Sequence, residues 1–293
     1  MRISHKIEFL KKWLNDPEGA RLSDKFSLNI SKILFILTRF LIKIVLGKNK
    51  RDEIFKKNNI NFISFLKILR KTPLMVKNHD GIFWCRPYDT DTVMISDNHE
   101  DFLRKKIKAE ENDIVIDIGA HIGKYAIRWG NSVGEQGKVY AIEVEPKTFD
   151  ILCKNIKLNK LEKKVIPLKL AITDKIGKSS FYVSKGRSEI SSIHDKWAEK
   201  IEVDTITIDE LVKKEKLTKI NFIQMDIQGA EYETILGSSN SIKNRIIKKF
   251  VIETHGRKNF ELIPPLLQSQ YDIEIFAKTG PDFGYMICNK KNI

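Results

Sequence analysis

Short apolar runs alternate with longer stretches of mixed polarity between residues 113 and 290, and that rhythm predicts the fold class. Ile114-Val115-Ile116 and Lys138-Val139-Tyr140-Ala141-Ile142 are nearly continuous apolar segments, the pattern of strands buried on both faces of a parallel sheet. Lys124 to Ser132 and Pro146 to Asn159 suit helices, and Val165-Ile166-Pro167-Leu168 is a third strand whose proline favours an edge or a bulge. A polar, hairpin-like stretch runs through Phe181-Tyr182-Val183, followed by Thr205 to Val212 and by strands at Phe222–Met225 and Phe250–Ile252. Tyr271–Ala277 and Tyr285–Cys288 are two closing strands joined by a Gly/Pro turn. Repeated strand–helix units predict an α/β protein with a doubly wound, mostly parallel sheet and an antiparallel C-terminal edge hairpin. In such a sheet ligands bind past the carboxyl ends of the strands, where the strand order reverses.

Residues 1–75 follow another pattern and are expected to form a basic helical segment ahead of the main domain, residues 76–293. Lys25 to Leu46 contains no Gly or Pro, and Gly47 stands where a helix C-cap belongs. At 100° per residue, Lys25, Lys32, Arg39 and Lys43 fall within roughly 40° of one another, and most of the remaining wheel is apolar. Three positions fit this segment: docked on the main domain or a second subunit, lying in a membrane interface with its lysines at lipid phosphates, or spanning the bilayer. A span is disfavoured, because each charge near its centre costs about 2.5–3.5 kcal/mol. Asp52 to Leu69 reads as a second helix ended by Pro73, and Met75-Val76 with Ile82-Phe83-Trp84 as a hairpin.

Charge sharpens this division. The net charge is +14 over 293 residues; residues 1–75 hold 17 Lys and Arg against 6 Asp and Glu, and the rest hold 35 against 32. An excess confined to the front of the chain points to an anionic membrane surface through residues 25–51, or to nucleic acid, with ordinary solvated lysines as the plain alternative. Cys85, Cys153 and Cys288 lie far apart without a C-x-x-C pair, which argues against a disulfide scaffold or structural zinc and for a cytoplasmic protein, peripheral at a membrane if the helix binds lipid. The N-terminus lacks the features of a secretory signal.

Candidate chemistry gathers at the strand ends. The first strand runs into Asp117-x-Gly119-x-x-x-Gly123 and then a helix start, whose N–H groups suit a carboxylate or phosphate. Glu143 ends the next strand, a suitable acceptor for two ribose hydroxyls. A pyrophosphate-binding loop needs glycine two residues after Gly119, and this chain has His121 there. An adenosyl ligand without pyrophosphate fits better, and S-adenosylmethionine is the common one.

The run Val115-Ile116-Asp117-Ile118-Gly119-Ala120-His121-Ile122-Gly123, then Gly137 to Glu143, resembles a class I S-adenosylmethionine-dependent methyltransferase, and more specifically the FkbM family. Asn155-Ile156, Leu158-Asn159, Ala171-Ile172-Thr173-Asp174, Met225 to Glu231 and Val251-Ile252-Glu253-Thr254-His255 extend the resemblance over roughly residues 90–290. It implies a Rossmann-like fold and O-methylation of a sugar or secondary metabolite. Asp117, Gly119, Ala120, His121 and Gly123 would then frame the methionine end of the cofactor, Glu143 would hold the ribose, Ala171 and Ile172 would border the adenine, and Asp226 would serve cofactor or acceptor. Two departures stand out: the family often has Lys where this chain has Gln224, and Glu where it has Gln228.

A sugar hydroxyl is a weak nucleophile and gains from a general base. His255 is the first candidate because imidazole titrates near neutrality; Asp226 and Glu253 are the others, and Glu231 braces the loop or caps the next helix. Asp226, Glu253 and His255 could also gather a divalent metal, but no helical H-x-x-x-H or similar motif supports one, and no metal is expected. The expected acceptor is a small molecule, glycan or lipid-linked metabolite. The alternatives are an RNA methyltransferase, disfavoured because aromatic and basic residues are not interleaved for base stacking, and a non-catalytic membrane-surface adaptor on the same fold.

Overall fold

The computed structural model describes residues 18–19, 22–57, 73–86, 91–95, 106–183, 199–276 and 283–292. They fall into two units, residues 1–107 and 108–293. The predicted continuation of the second helix to Leu69, and the insertion carrying His194 and Trp197, lie outside the described residues.

In the first unit, β1 (Glu18–Gly19), β2 (Leu74–Lys77) and β3 (Ile82–Cys85) pair antiparallel in that order. The predicted hairpin is β2–β3, with buried Val76 opposite buried Phe83. Asn78 closes its turn: Oδ1 accepts from the backbone of Asp80 and Gly81, and Nδ2 donates to the Ile95 carbonyl. Helix α1 (Leu22–Leu46) stops at Gly47, whose φ of 79° and N–H bond to the Lys43 carbonyl make the expected glycine cap. Helix α2 (Lys48–Lys57) follows at once, and α3 (Asp91–Met94) carries buried Asp91, paired with Arg86 at 2.8 Å.

The basic stripe of α1 does not face one way: Lys43 is exposed and Arg39 partly so, while Lys32 turns inward. Lys32 is 1% exposed. Arg39 lies 3.9 Å from Asp52 of α2, with its guanidinium 5.8 Å from the ring of buried Phe35. The long aliphatic stems of Lys and Arg let a charged stripe pack against the protein while the heads find partners. The opposite, apolar side stays exposed from Ile30 to Val45. Among the described residues no helix is long and apolar enough to cross a membrane.

The second unit alternates as the hydrophobic rhythm predicts: β4 (Ile114–Ile118), α4 (Lys124–Ser132), β5 (Lys138–Ile142), α5 (Pro146–Leu158) and β6 (Val165–Leu168). A small sheet follows, made of β7 (Ala171–Ile172), β8 (Gly177–Val183) and β9 (Glu199–Ile206) in the order β7-β9-β8. The chain then forms α6 (Ile208–Lys214), β10 (Phe222–Met225), α7 (Glu231–Leu236), α8 (Ser239–Lys243), β11 (Lys249–His255), α9 (Arg257–Leu267), β12 (Tyr271–Phe276) and β13 (Phe283–Lys290). The large sheet has the order β12-β13-β11-β10-β4-β5-β6. Strands β11 to β6 run parallel, and the β12–β13 hairpin adds the antiparallel edge. Pro167 falls on the opposite edge strand, where a missing N–H costs no ladder bond.

The order reverses at β4, since the chain builds outward through β5 and β6 and then returns to β10 on the other side. Beyond β4 the backbone must pass very close to the end of β10. Gly119 has φ 85°, and a Cβ there would lie 2.0 Å from the Asp226 carbonyl oxygen. The N–H groups of Gly119 and Ala120 both bond to the Ile142 carbonyl at the end of β5, and Asp226 N–H bonds to that of Ile118. Three strand ends are thereby laced together around one glycine. Gly119→Ala is expected to lower the unfolding free energy by about 2–4 kcal/mol, read from urea denaturation of the full chain. An unchanged midpoint would show that the junction relaxes freely.

Candidate active site

Glu143 sits one residue past β5 and is buried. Its Oε2 accepts from His121 N–H at 2.9 Å, and its Oε1 from Glu145 N–H at 2.8 Å. The carboxylate therefore braces the glycine loop before any ligand arrives. A carboxylate has acceptor sites for about four hydrogen bonds, so bracing the loop and holding a ribose are compatible. His121 adopts φ 50°, and its N–H is committed to Glu143 rather than to a pyrophosphate. Gly123 begins α4 with no side-chain cap; a Cβ there would lie 2.9 Å from Leu152 Cδ1. Asn155 on α5, fully buried, donates to the Ile122 carbonyl at 2.9 Å and fixes the other end of the loop.

Across the switch point, the ends of β10 and β11 bring Asp226, Glu253 and His255 together. His255 Nε2 lies 3.9 Å from Asp226 Oδ1 and 3.7 Å from Glu253 Oε1. Ligand atoms of the three fall within 4.8 Å of one another, a spacing that a divalent ion could bridge. Gln228, at φ 54°, donates its amide to Asp226 Oδ1 at 2.7 Å and places the same nitrogen 3.1 Å from His255 Nε2. On its other side His255 Nδ1 meets Glu231 Oε1 at 3.1 Å. With Nδ1–H donating to Glu231, the Nε2 lone pair of neutral His255 accepts from the Gln228 amide, and the two strand-end carboxylates lie just beyond.

Glu231 is 0% exposed at the start of α7, and its position is over-determined. Oε1 also accepts from Gly229 N–H at 3.0 Å, and Oε2 accepts from Asn259 Nδ2 at 2.5 Å. Asn259 further donates to the His255 carbonyl at 2.5 Å and accepts from Tyr232 N–H at 3.1 Å. Burial pushes the His255 pKa down, but the Glu231 hydrogen bond, the charges of Asp226 and Glu231 and the Glu253 backbone together hold it above the ordinary 6.5. An imidazole so placed binds a proton readily and has carboxylates on both sides to stabilise it.

The profile of the Methyltransferase FkbM domain matches residues 117–286, more than half of the chain. The chain belongs to the FkbM methyltransferase family. It is 27% identical over 199 residues to the hexuronic acid methyltransferase AglP of Haloferax volcanii, across 66% of this chain and 77% of that protein. A shorter match, 44% identical over 61 residues, joins it to the tRNA (guanine(37)-N(1))-methyltransferase Trm5b of Methanocaldococcus jannaschii, over 21% of this chain and 17% of that one. The solved FkbM methyltransferase of Methylobacillus flagellatus aligns with 64% of this chain and 46% of its own, at 16% identity and a TM-score of 0.47. The FkbM chain thus spans most of the first relative and less than half of the other two.

Within this FkbM domain the residues expected at the site fall into two adjoining groups. Asp117 is buried at the end of β4, in register with Gln224 and Ala141, and Gly119, Ala120, His121, Gly123 and Glu143 form the loop side. Ala171 and Ile172 lie in β7, paired with β9; Ile172 sends its side chain into the core and its carbonyl accepts from Thr234 Oγ1 at 3.2 Å. Three contributors went unassigned in the sequence: Asn155, Asn259 and, as a bridge, Gln228. Buried Asn is rare enough to flag, yet nothing local says which loop it braces. Substituting Glu231→Gln is expected to lower the His255 pKa, measured by NMR titration of the ring protons of the full chain. An unmoved titration would mean that Glu231 does not set the imidazole's protonation.

Proposed function

We propose that this protein transfers a methyl group from S-adenosylmethionine to a hydroxyl of a sugar or glycan, with a uronic acid unit as the first acceptor class to test. The observation that carries the reading is His255, an imidazole oriented by a buried carboxylate at the switch point where the glycine loop also ends. The FkbM family supports methyl transfer, and similarity to the hexuronic acid methyltransferase supports the acceptor class.

The residues of the loop side fit this cofactor. Gly119 and Gly123 let the loop fold tightly against the end of β10 and against Leu152 of α5, α4 opens without a side-chain cap, and Glu143 suits ribose hydroxyls at the end of β5. When bound, S-adenosylmethionine supplies a methyl group on an electrophilic sulfonium. Asp117 and the α4 N-terminus serve the amino-acid end, and Glu143 the ribose. His255 Nε2 takes the proton of the acceptor hydroxyl as it becomes nucleophilic, and Glu231 holds the resulting imidazolium through Nδ1–H. Asp226 and Glu253 orient the acceptor and add negative charge that favours the protonated ring. Much of the acceleration comes from holding the two reactants in line.

A second reading, methylation of RNA, is favoured by the local match to the tRNA enzyme and by the basic first unit. Incubating the full chain with S-adenosylmethionine and either uronic acid glycans or tRNA separates the two. The expected result is a methyl increment on the glycan; methyl on tRNA alone, lost steeply as salt rises, decides for RNA. Calorimetry checks the cofactor: Glu143→Ala should weaken S-adenosylmethionine binding about tenfold or more, for two lost charge-assisted hydrogen bonds. Unchanged affinity would move the ribose contact elsewhere. His255→Ala should reduce kcat by about 10²–10⁴. In the wild type kcat should rise with pH through an apparent pKa above 6.5, because the raised pKa keeps the base protonated below it. A flat profile with full activity in the alanine variant would end the assignment of the base.

A further inference from the structure

We propose that the exposed side of α1 docks on an anionic lipid surface, an interaction independent of the methyl-transfer reading. Exposure climbs along this side from 40% at Leu34 through Leu37, Phe40, Leu41 and Ile44 to 75% at Val45. At 100° per residue these six positions share one arc of roughly 140°. The stretch from Ile30 to Val45 is roughly 24 Å long at helical rise. An uninterrupted apolar face of that size on a folded chain marks an interaction surface.

The charges around the face select the partner. Lys43, Lys48 and Lys50 are exposed where the apolar exposure is greatest. No Asp or Glu occurs between Lys25 and Arg51, and Asp52 is bracketed by Arg39 and Arg51. A second copy packed face to face would bring the same cations together, with no carboxylate within residues 25–51 to answer them. A bilayer rich in anionic lipid supplies both complements, acyl chains for Phe40, Leu41 and Val45 and phosphates for the lysines at the C-terminal end. The burial of Lys32 makes this different from a helix with a whole basic face on lipid. Here the apolar arc is presented whole, and the cations act from one end, so the C-terminal half of α1 sits deepest.

Co-sedimentation of the full chain with vesicles of phosphatidylcholine alone, and of phosphatidylcholine mixed with phosphatidylglycerol, tests the proposal. Binding is expected to the mixed vesicles and much less to the neutral ones. Leu37→Ser with Leu41→Ser should weaken it at least about tenfold, and Lys43→Ser with Lys48→Ser about fivefold per charge removed. Circular dichroism and S-adenosylmethionine calorimetry of these variants should match the wild type, which separates loss of lipid binding from loss of the fold or of the cofactor site. Three outcomes overturn the proposal: no binding to either vesicle, equal binding to both, or a wild-type dimer in light scattering that the Leu37/Leu41 variant splits, which would assign the face to a second copy.

Discussion

The close passage of Gly119 over the Asp226 carbonyl is the constraint on which the rest of the domain depends. At that point the chain leaving β4 and the chain leaving β10 come closer than any side chain on Gly119 would permit. Ile142, at the end of the neighbouring β5, gathers two N–H groups from the same loop. The glycine loop and the His255 cluster therefore share a wall made of backbone. Close-packed backbone is stiff, so a displacement on one side is felt on the other. A transferase benefits from such a junction because both reactants must be held in line at once.

Electrostatics explain the composition of the second group. Asp226, Glu231 and Glu253 surround one imidazole in a setting where water screens only partly. Three carboxylates together are costly without a cation, and they hold the His255 pKa above its ordinary value against the pull of burial. By linkage, the protonated ring contributes stability fully below about pH 6.5, and that contribution fades as pH rises through its higher folded value. The role proposed for His255 pulls the other way, since a base must be neutral to accept a proton. Gln228 belongs to the same balance. Where the resemblance leads one to expect Glu, this chain has a neutral amide that donates to Asp226 and faces Nε2, which avoids a fourth negative charge.

The first unit shows how composition alone misleads about orientation. A helical wheel of α1 displays a narrow cationic stripe and a broad apolar remainder, and intuition sends charge to the outside. Arg39 instead faces Asp52 and lies over Phe35, and Lys32 is buried. The inward face is set by what α1 packs against, β1 and β2 as well as α2, and none of these is legible in the periodicity of α1 itself.

Much of the second unit could be read from the chain because its signals are local. The apolar runs of β4, β5, β6 and β10 announce buried parallel strands, Pro167 an edge, and Gly119 and Gly123 a tight turn into a helix, each within a few residues. The small β7-β9-β8 sheet was less legible, because β9 buries only Val203 and Thr205 among polar neighbours. What only the tertiary structure decided are relations across distance. These include the contact of Glu231 with His255, the bracing of both by Asn259, the bridge through Gln228, and which side of α1 meets solvent. Sequence specifies propensity and residue type at each position; which hydrogen-bonding groups meet depends on strand order and register, and those are settled by packing the whole core.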